Sequence, residues 1–266
     1  MDLKLGASVW GFRRSVEDRR PAPGDVARAI LGFDPHLGIE VWADRALGDP
    51  PPEGAAVDLL AKACVSAPFV AVHMREAYWG WNPRTFRDEI NFASRIGAQT
   101  LVIHPRCLRL DRPDARPDYP EIVRVLKYAG RKGVMVVLEN TPDTVWALDR
   151  ALEEIGDDPA KTNLAICIDT GHAHQSVDAG RHPVVNYIER YAAQLRHLHL
   201  HDNHGEADEH LVPGDGTIDW PSVIAALERV NYHGTSAFEI HDSQGDPLDA
   251  LRRACETLNR SCAPSS

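Results

Sequence analysis

The chain alternates between short runs dense in apolar and β-branched residues and longer stretches in which apolar residues return every three or four positions. The short runs are LGASVW from Leu5, LGIEVWA from Leu37, FVAVHM from Phe69, TLVIHP from Thr100, VMVVLEN from Val134, LAICIDT from Leu164, LRHLHLHD from Leu195 and TSAFEIH from Thr235. Their length and composition predict strands. The intervening stretches PRTFRDEINFASRIGA, YPEIVRVLKYAGRKG, TPDTVWALDRALEEIG and DWPSVIAALERVNYHG have helical periodicity, and several close on glycine, a common helix stop. A strand returns every ~30 residues, about one β-α unit, which makes the (β/α)8 TIM barrel, an α/β fold, the expected architecture. An open doubly wound sheet is the alternative. No composition shift or Gly/Ser linker divides the chain, so residues 1–266 read as one domain. The segments RRPAPGD and DRPDARPDYP fall between elements as loops, and CAPSS reads as a frayed end.

Composition narrows the picture modestly. A hydrophobic fraction of 43% in 266 residues supports a well-buried core. No apolar run reaches the ~18 residues that span a bilayer, and the start MDLKLGASVWGF lacks a basic-then-apolar signal pattern; the expectation is a soluble cytoplasmic protein with no membrane partner. The formal charge of −10 argues against sequence-independent nucleic-acid binding, although bound cations would neutralise part of it. Cys64, Cys107, Cys167, Cys255 and Cys262 form no Cys-x-x-Cys pair and read as small buried apolar residues.

The polar residues that interrupt the apolar runs carry the chemistry. His73, His104, Glu139, Asp169 and Glu239 each close a predicted strand, and in a barrel of this kind the C-terminal strand ends form the active-site face. His197, His199 and His201 share one face of the seventh strand by the period-two rule. His199 is the expected ligand among them, with His197 and His201 divided between structural and supporting roles. His172 follows Asp169 by three positions, and Asp208 and His210 lie two apart in the loop after the seventh strand. Together these residues predict a multinuclear metal centre. Its thiolate-free mixture of histidine and carboxylate suits Zn2+ first, with Mn2+ or Fe2+ as alternatives, over Mg2+. Arg75 and Arg106, each two residues beyond a proposed ligand, are candidates for binding a substrate phosphate. Trp10, Tyr78, Trp79 and Trp81 are candidates for an apolar wall against a sugar ring or base.

The motifs LENTP, CIDTGHAH and DEHLVPGDGTIDW resemble the xylose isomerase-like barrel superfamily, which includes sugar isomerases and epimerases and the endonuclease IV repair enzymes. The resemblance covers essentially the whole chain. It implies up to three metal ions per chain: His73, His104 and bridging Glu139 at the first; Glu139, Asp169, His199 and Glu239 at the second; His172, Asp208 and His210 at the third. Epimerases of the superfamily need one ion, on the equivalents of Glu139, Asp169, His199 and Glu239, and many carry arginine where this chain has His210. The start GASVWGFRR differs from the His-Val-Ser opening of the repair enzymes.

The first functional expectation is a metal-dependent phosphoester hydrolase for a small phosphorylated substrate, with a multinuclear centre at the barrel mouth. The alternative is a single-metal sugar or sugar-phosphate isomerase or epimerase, in which Glu139 and Glu239 exchange protons on opposite faces of the carbon next to a carbonyl. An apurinic-site nuclease and a silent binding protein rank below both.

Overall fold

A computed structural model describes residues 3–14, 21–42, 54–75, 81–110, 112–142, 145–176, 180, 182–241 and 245–261. Eight parallel strands close into a barrel in sequence order. They are β1 (Lys4–Ser8), β2 (Gly38–Trp42), β3 (Val70–His73), β4 (Thr100–Ile103), β5 (Met135–Glu139), β6 (Leu164–Asp169), β7 (Leu195–Leu200) and β8 (Thr235–Phe238). β8 pairs with β1, from Lys4 opposite Thr235 to Ala7 opposite Phe238, and so closes the ring. Every predicted apolar run contributes a strand, and the (β/α)8 barrel expected from their rhythm is the architecture observed.

The helices are α1 (Val9–Arg14), α2 (Pro23–Phe33), α3 (Ala55–Cys64), α4 (Pro83–Arg95), α5 (Tyr119–Arg131), α6 (Val145–Ile155), α7 (Thr170–Gln175), α8 (Pro183–Arg190), α9 (Trp220–Arg229) and α10 (Pro247–Ser261). Their starts follow local chemistry. Asn82 caps α4 by accepting from the Arg84 and Thr85 amides, with Pro83 at the first helical position, and Asp118 and Asp219 cap α5 and α9. Several boundaries differ from the sequence reading, two of them by a change of element or a long overrun. The first apolar run stops being strand at Ser8, because Val9 and Trp10 already belong to α1. The α9 segment ends at Arg229, well before Gly234, and Asn231 takes the positive φ of 53° after it.

The main core lies between strands and helices, where residues such as Ile30, Ile39, Leu101, Leu126, Ile166 and Leu198 are fully buried. Inside the barrel a smaller apolar group of Val102, Val137, Ala165 and Cys167, with Met135 against it, fills one side. The Phe69 ring occupies space that side chains at positions 6 and 38 would take: a Cβ at Gly6 or Gly38 would lie 2.7 or 2.2 Å from it. Above that level the interior turns polar. Cys64, Cys107 and Cys167 are buried, and burial pushes the thiols of Cys64 and Cys107 up to about 12, which leaves them chemically quiet. No helix among the described residues is long and apolar enough to cross a membrane.

Candidate metal centre and active site

The C-terminal ends of β3 to β8 bring histidines and carboxylates from separate parts of the sequence to one mouth. His73 Nε2 and His104 Nε2 lie 3.3 Å apart, and each is 3.2 Å from Glu139 Oε2. The other oxygen of Glu139 is 3.3 Å from His199 Nδ1 and 3.3 Å from His172 Nδ1. Glu139 therefore sits between two clusters, His73–His104–Glu139 and Glu139–Asp169–His199. At the second cluster, Asp169 Oδ2 and Glu239 Oε2 approach His199 Nδ1 at 3.8 and 3.5 Å. Three carboxylates thus surround one ring nitrogen in a fully buried site.

The imidazoles are pre-oriented. His73 Nδ1 donates to the Met74 carbonyl at 3.0 Å, and His210 Nδ1 donates to the Glu239 carbonyl at 2.7 Å, because a carbonyl can only accept. Each histidine so held directs Nε2 at a carboxylate, His73 at Glu139 and His210 at Asp208, the latter at 3.1 Å. A histidine with one nitrogen tied to a fixed acceptor and the other aimed at an acidic cluster has the arrangement of a metal ligand. His199 Nδ1 and Glu239 Oε1 are buried without a hydrogen-bond partner, a costly condition unless something binds them. The residues present fit a divalent cation at Glu139, Asp169, His199 and Glu239.

Local backbone features hold the outer part of the site. Asp169 ends β6 and caps α7 by accepting from the His172 amide at 2.7 Å, while Asn140 bridges β5 to β6 through the Asp169 amide and carbonyl. His172 Nδ1 also lies 3.0 Å from the Asn140 carbonyl, and its Nε2 is 3.4 Å from Asp208 Oδ2. His210 adopts φ of 51°, a strained conformation for a residue with a side chain. It is held there by its bond to Glu239 and by the His241 amide, which donates to the His210 carbonyl at 2.8 Å.

The structure adds residues that the strand-end pattern did not single out. Glu40, in the middle of β2, is completely buried and meets both His197 and His199. His201 Nε2 contacts both Asp169 oxygens at 2.9 and 3.0 Å, its ring stacks on His210 at 4.1 Å, and it clusters with Asp208 and His210. A Cβ on Gly171 would fall 1.9 Å from the His201 ring, so glycine is what leaves room for it. Trp42 stacks on His73 at 4.2 Å and on Trp10 at 5.1 Å, and Trp10 packs against His210 at 4.7 Å. The aromatic wall thus joins an expected residue, Trp10, with an unexpected one, Trp42, whose signal was an aromatic at a strand end. Trp81 packs on Phe86 of α4. Tyr78 and Trp79 lie outside the described residues. Arg75 is buried and pairs with Glu89 of α4, with Phe92 beneath its guanidinium. Arg106 is exposed on the turn Pro105–Leu108, which follows His104.

Burial favours neutral forms throughout this interior, and the neighbours decide which groups keep charge. For Glu139, burial raises the carboxyl, but His199 and His104 overturn it and hold the group well below the usual range. For Glu239, burial again raises it; His199 pulls the other way, and the negative Glu40, Glu139 and Asp169 help keep it well above the usual range. Two carboxyls beside one imidazole are therefore driven apart, one down and one up.

The sequence profile of the xylose isomerase-like TIM barrel family matches residues 38–261. An uncharacterised protein of Mycobacterium leprae is 31% identical over 267 aligned residues, covering 91% of this chain and 90% of its own. A probable endonuclease 4 of Thermoplasma acidophilum is 30% identical over 145 residues, half of each chain. Among solved structures, an L-ribulose 3-epimerase superposes with a TM-score of 0.71 at 15% identity, covering all of both chains. The chain belongs to the xylose isomerase-like TIM barrel family.

Proposed function

We propose that this protein is a metal-dependent isomerase or epimerase of a small sugar or sugar derivative, the alternative of the two sequence readings. The observation that carries the proposal is the pairing of two buried carboxyls beside His199: Glu139 at the end of β5 lies 3.3 Å and Glu239 just after β8 lies 3.5 Å from its Nδ1. The fold shared with L-ribulose 3-epimerase supports the same substrate class. Ionised Glu139 takes the proton from the carbon next to a carbonyl, and protonated Glu239 returns one to the opposite face. Proton count and charge balance across the step, and the two glutamates exchange states. A divalent ion held by Glu139, Asp169, His199 and Glu239 would withdraw electron density from the carbonyl and adjacent hydroxyl. Trp10 and Trp42 offer flat apolar surface to the C–H face of a sugar ring or chain. His172 and His210 stand at the outer side as hydrogen-bonding groups for substrate hydroxyls.

The pairing of Arg75 with Glu89 takes support from the phosphate-binding role expected of it. Of the two arginines expected to bind phosphate, Arg106 is the exposed one. The multinuclear phosphoester hydrolase stays as the second reading, because His73–His104–Glu139 and His201–Asp208–His210 form further clusters able to hold ions. The test is to load metal-free protein with Mn2+, Co2+ or Zn2+ and incubate it with a ketose panel and, separately, a phosphate-ester panel. Epimer formation at about one ion per chain is the expected result. Phosphate release that begins only at the second or third equivalent, with no epimer from any ketose, would overturn it.

A further inference from the structure

Below the metal centre the barrel interior holds a second polar level. Glu40 reaches from β2 across the barrel to β7, where its Oε2 accepts from His197 Nε2 at 2.9 Å and from His199 Nε2 at 3.1 Å. His197 Nδ1 is left to accept from the Thr235 hydroxyl at 2.7 Å. Glu40, His197 and His199 are all 0% exposed. An unbroken chain of hydrogen bonds therefore runs from Thr235 through His197 and Glu40 to His199, and it ends at Nδ1 against Glu139, Asp169 and Glu239.

A carboxylate at this depth is costly to bury, and an uncharged side chain would serve packing better. What the charge does is visible at the ring. A neutral His199 with nothing behind it would place its proton on Nδ1, pointing at three carboxylates. That tautomer blocks the nitrogen a cation needs. An anionic acceptor at Nε2 fixes the proton on the far side and leaves the Nδ1 lone pair facing the cluster.

We propose that Glu40 is a positioning residue that sets the tautomer and ring angle of His199 for metal binding, with His197 and Thr235 holding Glu40 in place. The inference rests on His199 being a metal ligand, as in the reading above. It is tested on the full chain with Zn2+ as probe. Zn2+ affinity is measured by chelator competition for wild type, Glu40→Gln and Glu40→Leu, with circular dichroism and melting as checks on folding. Histidine 15N NMR reads the nitrogen that binds the ion.

Zn2+ on Nδ1 of His199 with the proton on Nε2 is expected in wild type. Affinity should fall by ~10–100-fold in Glu40→Leu and by less in Glu40→Gln, whose carbonyl can still accept from the ring. Folded variants with wild-type affinity and unchanged His199 signals would overturn the role of Glu40 alone. So would Zn2+ on Nε2 in wild type, a result that needs no variant. Failure of wild type to bind Zn2+ would instead remove the metal-centre reading, and this inference with it.

Discussion

At the scale of the residue, chemically similar groups stand in unequal surroundings. The histidines around Glu139 pull its carboxyl down, while burial and neighbouring anions push that of Glu239 up. Glu139→Gln and Glu239→Gln should each lower epimerisation by about two to four orders of magnitude, the usual range for loss of a general acid or base. Substrate titration of folded variants checks this, since activity within a few-fold of wild type in either one would contradict the assignment. Gly171 has a role that packing alone sets. The Cβ of Gly171→Ala would lie 1.9 Å from the His201 ring, which itself is pinned to Asp169 and His210. Overpacking of this kind costs about 1–3 kcal/mol, so the melting temperature should fall. An unshifted melt would show that His201 has room to move.

Elements explain how much of the site could be read along the chain. Strand ends were legible because an isolated His, Glu or Asp closes an apolar run, and the barrel topology sends every such end to the same mouth. Glu40 was not, although it too interrupts an apolar run. Its partner His197 is 157 positions away and lies across the barrel, so no local pattern ties the two. His201 was legible as an inward residue, yet its contact depends on how α7 packs and on the absence of a side chain at Gly171. The loop after β7 follows the same logic. Its motif DEHLVPGDGTIDW was visible in sequence, but the latch is Asp202, whose carboxylate accepts from the amides of Asn203, Gly214 and Ile218 and from the Trp220 ring nitrogen. Asp202→Ala should cost about 3 kcal/mol, since it leaves several buried donors unpaired. It should also weaken the hold on Asp208 and His210, which the loop carries. Denaturant unfolding checks the first consequence, and a cost under about 1 kcal/mol would mean that water replaces the carboxylate.

For the whole molecule, the interior is an anionic column inside an apolar shell. Glu40, Asp169, Glu139 and Glu239 are buried together, with His197, His199 and His201 against them. Such an arrangement costs stability unless cations neutralise it. Adding Zn2+ or Mn2+ to metal-free protein should therefore raise its melting temperature, by the equivalent of ~2.7 kcal/mol when free metal is 100 times the dissociation constant. No change in melting with metal would contradict the reading of the column as a cation site. The most direct test of the central claim is proton exchange at carbon. The metal-loaded protein is incubated with a ketose panel in D2O, and the carbon next to the carbonyl is followed by NMR. Deuterium entering at that carbon as the epimer appears, and lost when Glu139 or Glu239 becomes Gln, is the predicted result. A loaded, folded protein that leaves every carbon-bound proton in place would contradict it.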